Sequence, residues 1–124
     1  MFYHFDGSND YVSIDKNGNG VLNNFSSPHD FTIETRFRFH AAPGGRTFVS
    51  KHSAPSDGFF LEFPSGSTSL KAGMGWFDSN TNSSDYERVE SSSLTINTWY
   101  TAALVYNQSA NSFQFYIDGT LIGS

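Results

Sequence analysis

The chain has no cysteine, little positive charge and no long apolar run. Without cysteine it has no disulfides, thiolate nucleophile or cysteine zinc site, although the cellular compartment stays open. The seven Lys and Arg residues are scattered, and the net charge of −5 gives no basic patch for nucleic acid. No apolar stretch approaches the roughly 20 residues of a membrane helix, and none near Met1 suits a signal peptide. We therefore expect no nucleic-acid partner, no membrane span and no signal peptide in this stretch.

Aromatic residues, by contrast, are abundant. They make up 17% of the 124 residues, and 13 of them are phenylalanine. So many large apolar side chains can build a sizeable core, which argues against global disorder. The length suits one domain, so we expect a single domain over residues 1–124.

Apolar residues recur with a period of two. Residues 30–39 (DFTIETRFRF) place Phe31, Ile33 and Phe37 on one face, and they place Arg36 and Arg38 on the other. This alternation predicts a strand that is buried on one side and solvated on the other.

Further strands are predicted at several places, and none of the chain sustains a helical period. Their ranges are 47–51, 58–63, 69–77, 99–106 and 112–118. Asp118-Gly119 before Leu121 predicts a tight hairpin, and residues 78–84 (DSNTNSS) predict a surface loop. Eight to ten short strands joined by turns predict an all-β fold, an antiparallel β-sandwich of two sheets.

Several stretches resemble laminin-G-like domains. They are residues 5–12 (FDGSNDYV), 30–34 (DFTIE), 99–106 (WYTAALVY) and 115–123 (FYIDGTLIG). The resemblance implies the jelly roll of the concanavalin A-like superfamily, which includes lectins, adhesion modules, glucanases and phage appendages. Fold alone does not choose among these. Each motif also has a purely structural interpretation, in which Trp99 opens a central strand and fills the core.

The resemblance also implies strands beyond the Asp118-Gly119 hairpin, including one that pairs with the N-terminal segment. The sequence stops at Ser124, so we expect either that the chain is a fragment or that a neighbouring chain supplies the missing strands. An open sheet edge invites pairing with another chain. The partner expectation therefore includes a homo-oligomer or a neighbouring chain that supplies strands.

Three oxygen-rich segments are candidates for Ca²⁺, a cofactor that the resemblance makes plausible. The first contains Asp6, Asn9 and Asp10. The second contains Asp15, Asn17 and Asn19, which match the first half of a calcium loop but lack its closing glutamate. A simple Asn-Gly turn is the favoured explanation of the second segment, and residues 78–85 form a third, weaker candidate.

The best local candidate for a glycan site surrounds the loop at residues 78–84. Trp76 and Tyr86 flank it, and Asn80, Asn82 and Asp85 supply planar polar groups. A sugar site needs an aromatic ring for stacking and polar groups for hydroxyls. The alternative is that Trp76 belongs to the core, since it is in phase with Leu70, Ala72 and Met74.

Catalytic patterns are missing from the sequence. A glucanase on this fold needs paired carboxylates, and Glu34 and Glu62 are isolated while Glu87 and Glu90 are three residues apart. The four histidines are isolated, and there is no G-x-S-x-G elbow. We therefore expect a non-catalytic domain.

The sequence predicts a recognition or adhesion module that binds a glycan or a protein, with calcium as a candidate cofactor. The alternative is a structural, decoration or appendage protein of a phage virion. Both functions predict an extracellular location or a virion surface.

Overall fold

A computed structural model describes residues 5, 12, 30–42, 44–53, 57–78, 83–110 and 112–124. The described residues form strands, turns and irregular segments. No helix long and apolar enough for a membrane span occurs within these ranges. The eight strands are β1 (Phe31–Phe37), β2 (Gly44–Ser53), β3 (Asp57–Ser65), β4 (Lys71–Asp78), β5 (Ser83–Glu90), β6 (Tyr100–Asn107), β7 (Ser112–Ile117) and β8 (Thr120–Gly123).

The strands form two antiparallel sheets of four, which confirms the predicted β-sandwich. The first sheet has the order β1-β6-β7-β8, and the second has the order β2-β3-β4-β5. The chain leaves the first sheet after β1 and returns to it at β6. The segment 91–99 that makes this return ends at Trp99, a residue of the candidate site.

Strand β1 has the alternation that its sequence predicts. Phe31, Ile33 and Thr35 are half-buried and Phe37 is buried, whereas Thr32, Glu34 and Arg36 are exposed. The strand ends at Phe37, two residues before the predicted end, although Arg38 and Phe39 keep the same alternation of exposure. Its register with β6 pairs Ile33 with Leu104 and Arg36 with Thr101.

The core lies between the sheets and is rich in aromatic rings. The Phe37 ring of the first sheet lies 4.7 Å from the Phe48 ring and 5.9 Å from the Phe63 ring, both of the second sheet. At the other end of β1, the Phe31 ring lies 5.6 Å from the Phe59 ring. Edge and tilted arrangements at these separations are favourable for aromatic rings. The inward face of β1 therefore joins the two sheets along the whole strand.

The predicted Asp118-Gly119 hairpin joins β7 to β8. Asp118 has a φ of 48° and Gly119 a φ of 76°, as a two-residue turn with two left-handed positions requires. Asp118 Oδ1 accepts the Thr101 N–H at 2.7 Å, and the Asp118 N–H donates to Thr101 O at 2.8 Å. The turn is thereby attached to β6 as well as to its own strands.

The start of β4 is held by serines. Leu70 N–H donates to Ser91 Oγ at 3.0 Å, Ser91 Oγ–H donates to Ser92 O at 2.8 Å, and Ser91 N–H donates to Leu70 O at 2.9 Å. The buried Ser69 hydroxyl donates to Glu90 Oε1. Buried polar groups need such partners, so these bonds fix the exit of β5 against the entry of β4.

Strands β4 and β5 correct the two ends of the predicted surface loop at residues 78–84. Asp78 is the last residue of β4, and Ser83 and Ser84 belong to β5, which pairs with β4 over its full length. Residues 79–82 lie outside the described ranges. The sequence suggested a loop because β5 is polar and charged, with Val89 as its single aliphatic residue.

Candidate functional site

The predicted glycan site falls on the β4–β5 ladder. In that ladder Trp76 pairs with Asp85, and Gly75 pairs with Tyr86. The backbone therefore brings Trp76, Asp85 and Tyr86 to neighbouring positions. Asn80 and Asn82 lie outside the described residues, and the binding role of this group stays a prediction.

The predicted calcium ligands belong to the N-terminal part of the chain. Asp6, Asn9, Asp10, Asp15, Asn17 and Asn19 all lie outside the described residues. Within the described ranges, no group of three or more His, Asp or Glu side chains is close enough to hold a metal ion. The calcium sites stay predictions.

Trp99 corrects the prediction that it fills the core. Its side chain is 38% exposed, and it immediately precedes β6. The buried residues of β6 are Ala102 and Leu104, and Tyr100 packs against the core in the same phase. A residue one position earlier belongs to the opposite face of the sheet. Trp99 is therefore a surface residue of the first sheet.

Two arginines of the β1 segment accompany Trp99. Arg36 Cζ lies 5.3 Å from the centroid of the Trp99 ring, and Arg38 Cζ lies 5.2 Å from it. Both arginines are exposed; Arg36 lies on the solvated face of β1, and Arg38 follows the end of the strand in the same phase. Guanidinium groups within about 6 Å of an indole are attracted by the electron-rich ring. We call Arg36, Arg38 and Trp99 the Arg–Trp cluster.

The segment that leads to Trp99 is fixed to the end of β1. Asn97 has a φ of 62°, a left-handed conformation that asparagine tolerates better than most residues. Asn97 N–H donates to Phe39 O at 2.8 Å, and His40 Nδ1–H donates to Asn97 Oδ1 at 2.7 Å. A third bond runs from Thr95 N–H to Tyr100 Oη at 2.9 Å. These bonds hold Trp99 beside the arginines.

No carboxylate of the described residues neutralises the two arginines of the Arg–Trp cluster. Neither arginine forms a salt bridge with a carboxylate of the described residues, although Glu34 is exposed on the same face of β1. The chain as a whole has a net charge of −5. The cluster is thus a local cationic site on an acidic protein.

The second sheet aligns two glutamates with a lysine, a row that the sequence did not predict. Lys71 of β4 pairs with Glu62 of β3 on one side and with Glu90 of β5 on the other. Lys71 Nζ lies 3.9 Å from Glu90 Oε2, and Ser69 donates to the other oxygen of Glu90. A hydrolase needs two carboxyl groups open to a glycosidic bond between them. Here the strand position between the two glutamates carries a lysine.

Sequence reasoning missed the Arg–Trp cluster, although part of the signal was present. The alternation of residues 30–39 correctly predicted that Arg36, on β1, and Arg38, just after it, are exposed. Trp99 has the same phase as Thr101 and Ala103, opposite to the buried Ala102. A large aromatic residue beside a central strand suggested burial, and only the register of β1 with β6 brings the ring to the arginines.

Comparison with known proteins gives one family match. A family model described as the concanavalin A-like lectin/glucanases superfamily matches residues 6–124. No curated protein and no solved structure matches the chain significantly. The match covers nearly the whole sequence and agrees with the two four-stranded antiparallel sheets.

Proposed function

Because this chain belongs to the concanavalin A-like lectin/glucanase superfamily, we propose that it is a recognition domain that binds a glycan without cleaving it. The observation that carries the proposal is the exposed indole of Trp99, which lies at the start of β6 beside two guanidinium groups. Glycan sites combine an accessible aromatic ring with a few fixed polar groups. The superfamily often mediates binding, which makes recognition the function that best suits this geometry.

The described carboxylates support binding over hydrolysis. Glu34 lies on the first sheet, whereas Glu62 and Glu90 lie on the second with Lys71 between them. Glu90 is engaged by both Lys71 and Ser69. Neither glutamate of the row is therefore arranged to donate a proton to a leaving group opposite a second carboxylate.

Two further parts of the proposal come from the sequence. Calcium bound by the segments around Asp6–Asp10 or Asp15–Asn19 would assist binding by fixing loop conformations. Laminin-G-like domains are typically extracellular, and we propose an extracellular location for this one. The role of a virion structural protein stays a prediction from the sequence, and no described contact favours it.

A glycan array tests the proposal. The wild-type chain is applied with calcium and with a chelator, and Trp99→Ala and Trp76→Ala are applied beside it. We expect binding to a restricted set of glycans and a loss of about five- to tenfold in Trp99→Ala, since lost stacking costs on the order of 1 kcal/mol. Loss in Trp76→Ala instead would locate the site at the β4–β5 ladder.

Turnover decides between binding and hydrolysis. The chain is incubated with soluble β-glucans, and new reducing ends are measured against Glu62→Gln and Glu90→Gln variants. We expect no release of reducing ends. Release that disappears in these variants would overturn the proposal in favour of a hydrolase, and an array without any bound glycan would favour a protein partner.

A further inference from the structure

We propose that the Arg–Trp cluster selects saccharides that carry a carboxylate, with the two arginines binding the acidic group and the exposed part of Trp99 contacting the sugar ring. This inference rests on the proposed function and names the substrate class of the same site. It follows from the geometry of Arg36, Arg38 and Trp99 and from the charge of their surroundings.

Both guanidinium groups lie beside the same indole ring. Residues two apart on one face of a strand have Cα atoms about 7 Å apart. Each Cζ lies within 5.3 Å of the same ring centroid, so the two groups lie within roughly twice that distance of each other. The ring restricts the rotamers of both side chains, which reduces the entropy lost when an anion binds. Two planar guanidinium forks can then bind a carboxylate through paired N–H donors.

The positive charge of this cluster favours the binding of an anion. Two neighbouring cations repel each other, and within the described part of the chain no carboxylate pairs with Arg36 or Arg38. An added carboxylate relieves this repulsion. Because both arginines are exposed, the attraction is weakened by salt and acts over about 8 to 10 Å at physiological ionic strength.

The overall charge favours a ligand of low charge density. A net charge of −5 repels densely charged polyanions at a distance, including nucleic acids. A saccharide with one carboxylate per sugar residue experiences less of this repulsion and can still reach the local cationic site. Trp99 adds a partly open aromatic surface, 38% exposed, and the neighbouring Thr98 is an exposed hydroxyl residue. These features suit a sugar better than an acidic peptide.

Calorimetric titration of the full chain tests the inference with three probes. They are trigalacturonic acid, the neutral galactotriose of the same linkage, and triglutamate as an acidic peptide. We expect the acidic sugar to bind about tenfold or more tightly than either of the others, since charge-assisted bonds and ring contact are both needed. We also expect its affinity to fall as salt rises from about 50 mM to about 500 mM.

Matched variants locate the effect. Arg36→Gln and Arg38→Gln remove one charge each from the cluster, and Arg46→Gln removes an exposed arginine of the second sheet. We expect the two cluster variants to lose the preference for the acidic sugar and Arg46→Gln to keep it. Trp99→Phe retains a ring and should keep a reduced preference. Thermal unfolding checks that every variant is folded.

The possible failures are distinguishable. Equal binding of the acidic and neutral sugars, unchanged in Arg36→Gln and Arg38→Gln, would overturn this inference and leave the glycan-binding function intact. Equal binding of triglutamate would show that charge alone is recognised, which also overturns it. No sugar binding in the titration together with an empty glycan array would remove both the inference and the proposed function.

Discussion

The hydroxyl of Ser91 is buried and makes two hydrogen bonds at once. It accepts the Leu70 N–H at 3.0 Å and donates to Ser92 O at 2.8 Å. Ser91 is 7% exposed and Leu70 is fully buried, so water cannot replace these bonds easily. Ser91 Oγ is therefore the hydrogen-bond acceptor for the buried backbone N–H of Leu70.

Ser91→Ala leaves the Leu70 N–H without its partner. We expect the free energy of unfolding to fall by about 1 to 3 kcal/mol, which is the usual cost of an unsatisfied buried donor. Urea denaturation followed by fluorescence measures this change. The control is Ser92→Ala, an exposed position where we expect a change within about 0.5 kcal/mol. An unchanged urea midpoint for Ser91→Ala would contradict the role assigned to its hydroxyl.

Predictions for single residues were correct where the local backbone conformation determines the structure. Asp118-Gly119 forms a hairpin because both residues adopt positive φ, which aspartate tolerates and glycine favours. The prediction for Trp99 was wrong because exposure depends on phase within a sheet, and its size alone suggested burial. The described register of β1 with β6 was needed to correct it.

At the scale of elements, β1 is the strand on which the two sheets meet. Phe37 is buried, and its ring contacts the Phe48 and Phe63 rings of the second sheet and the Tyr100 ring of its own sheet. The opposite face of the same strand carries Arg36 of the Arg–Trp cluster. Core packing on one face therefore positions the candidate site on the other.

Phe37→Ala removes the ring at the centre of this contact. We expect a loss of about 3 to 5 kcal/mol in the free energy of unfolding, because the ring leaves a cavity that its neighbours fill only in part. Phe37→Leu should cost less, since it keeps most of the apolar volume. Denaturant unfolding measures both variants.

A surface change on the same strand is the matched control for Phe37→Ala. Glu34 is exposed, so Glu34→Ala is expected to alter stability by about 0.5 kcal/mol or less. Equal losses in Glu34→Ala and Phe37→Ala would show that the strand, and not its aromatic face, determines the effect.

The contrast between β1 and β5 explains which elements the sequence predicts. The alternation of β1 is strong because one face packs in the core and the other meets solvent. Among the β5 side chains that the structure describes, those of residues 87–90, Val89 is the one that packs against the core, and the strand sequence SSDYERVE has little hydrophobic pattern. Its strand conformation comes from pairing with β4, an interaction between backbones that side-chain patterns do not reveal.

At the scale of the whole molecule, the two sheets approach each other where β8 meets β5. A Cβ added to Gly123 would lie 2.8 Å from Val89 Cγ1 and 3.4 Å from Val89 Cγ2. Gly123 belongs to the first sheet and Val89 to the second. The absence of a side chain at Gly123 therefore permits the close approach of the sheets at this margin.

Gly123→Ala should destabilise the domain by about 1 to 3 kcal/mol, because valine is stiff at χ1 and the contact forces a shift in packing. Thermal or urea unfolding measures the loss. Val89→Ala in the same chain makes room for the new methyl group, so the double variant should lose less than the sum of the single losses. Strictly additive losses would show that these two residues do not meet.

The sequence by itself determined the all-β class, the two-sheet sandwich, most of the strands and the Asp118-Gly119 turn. It also placed Arg36 and Arg38 on a solvated face. These features follow from local rules, since side chains alternate along a strand and turns need particular φ values. The superfamily resemblance depended on the same local motifs and was confirmed over residues 6–124.

Tertiary structure alone decided which distant residues meet. Register across β1 and β6 brings Trp99 to the two arginines, and register across β3, β4 and β5 aligns Lys71 between Glu62 and Glu90. Such contacts join positions tens of residues apart in the sequence. A shift of one residue in the pairing of two strands would place each side chain of the shifted strand on the opposite face of the sheet. The cationic aromatic surface proposed as the binding site exists only because the packed core selects one register.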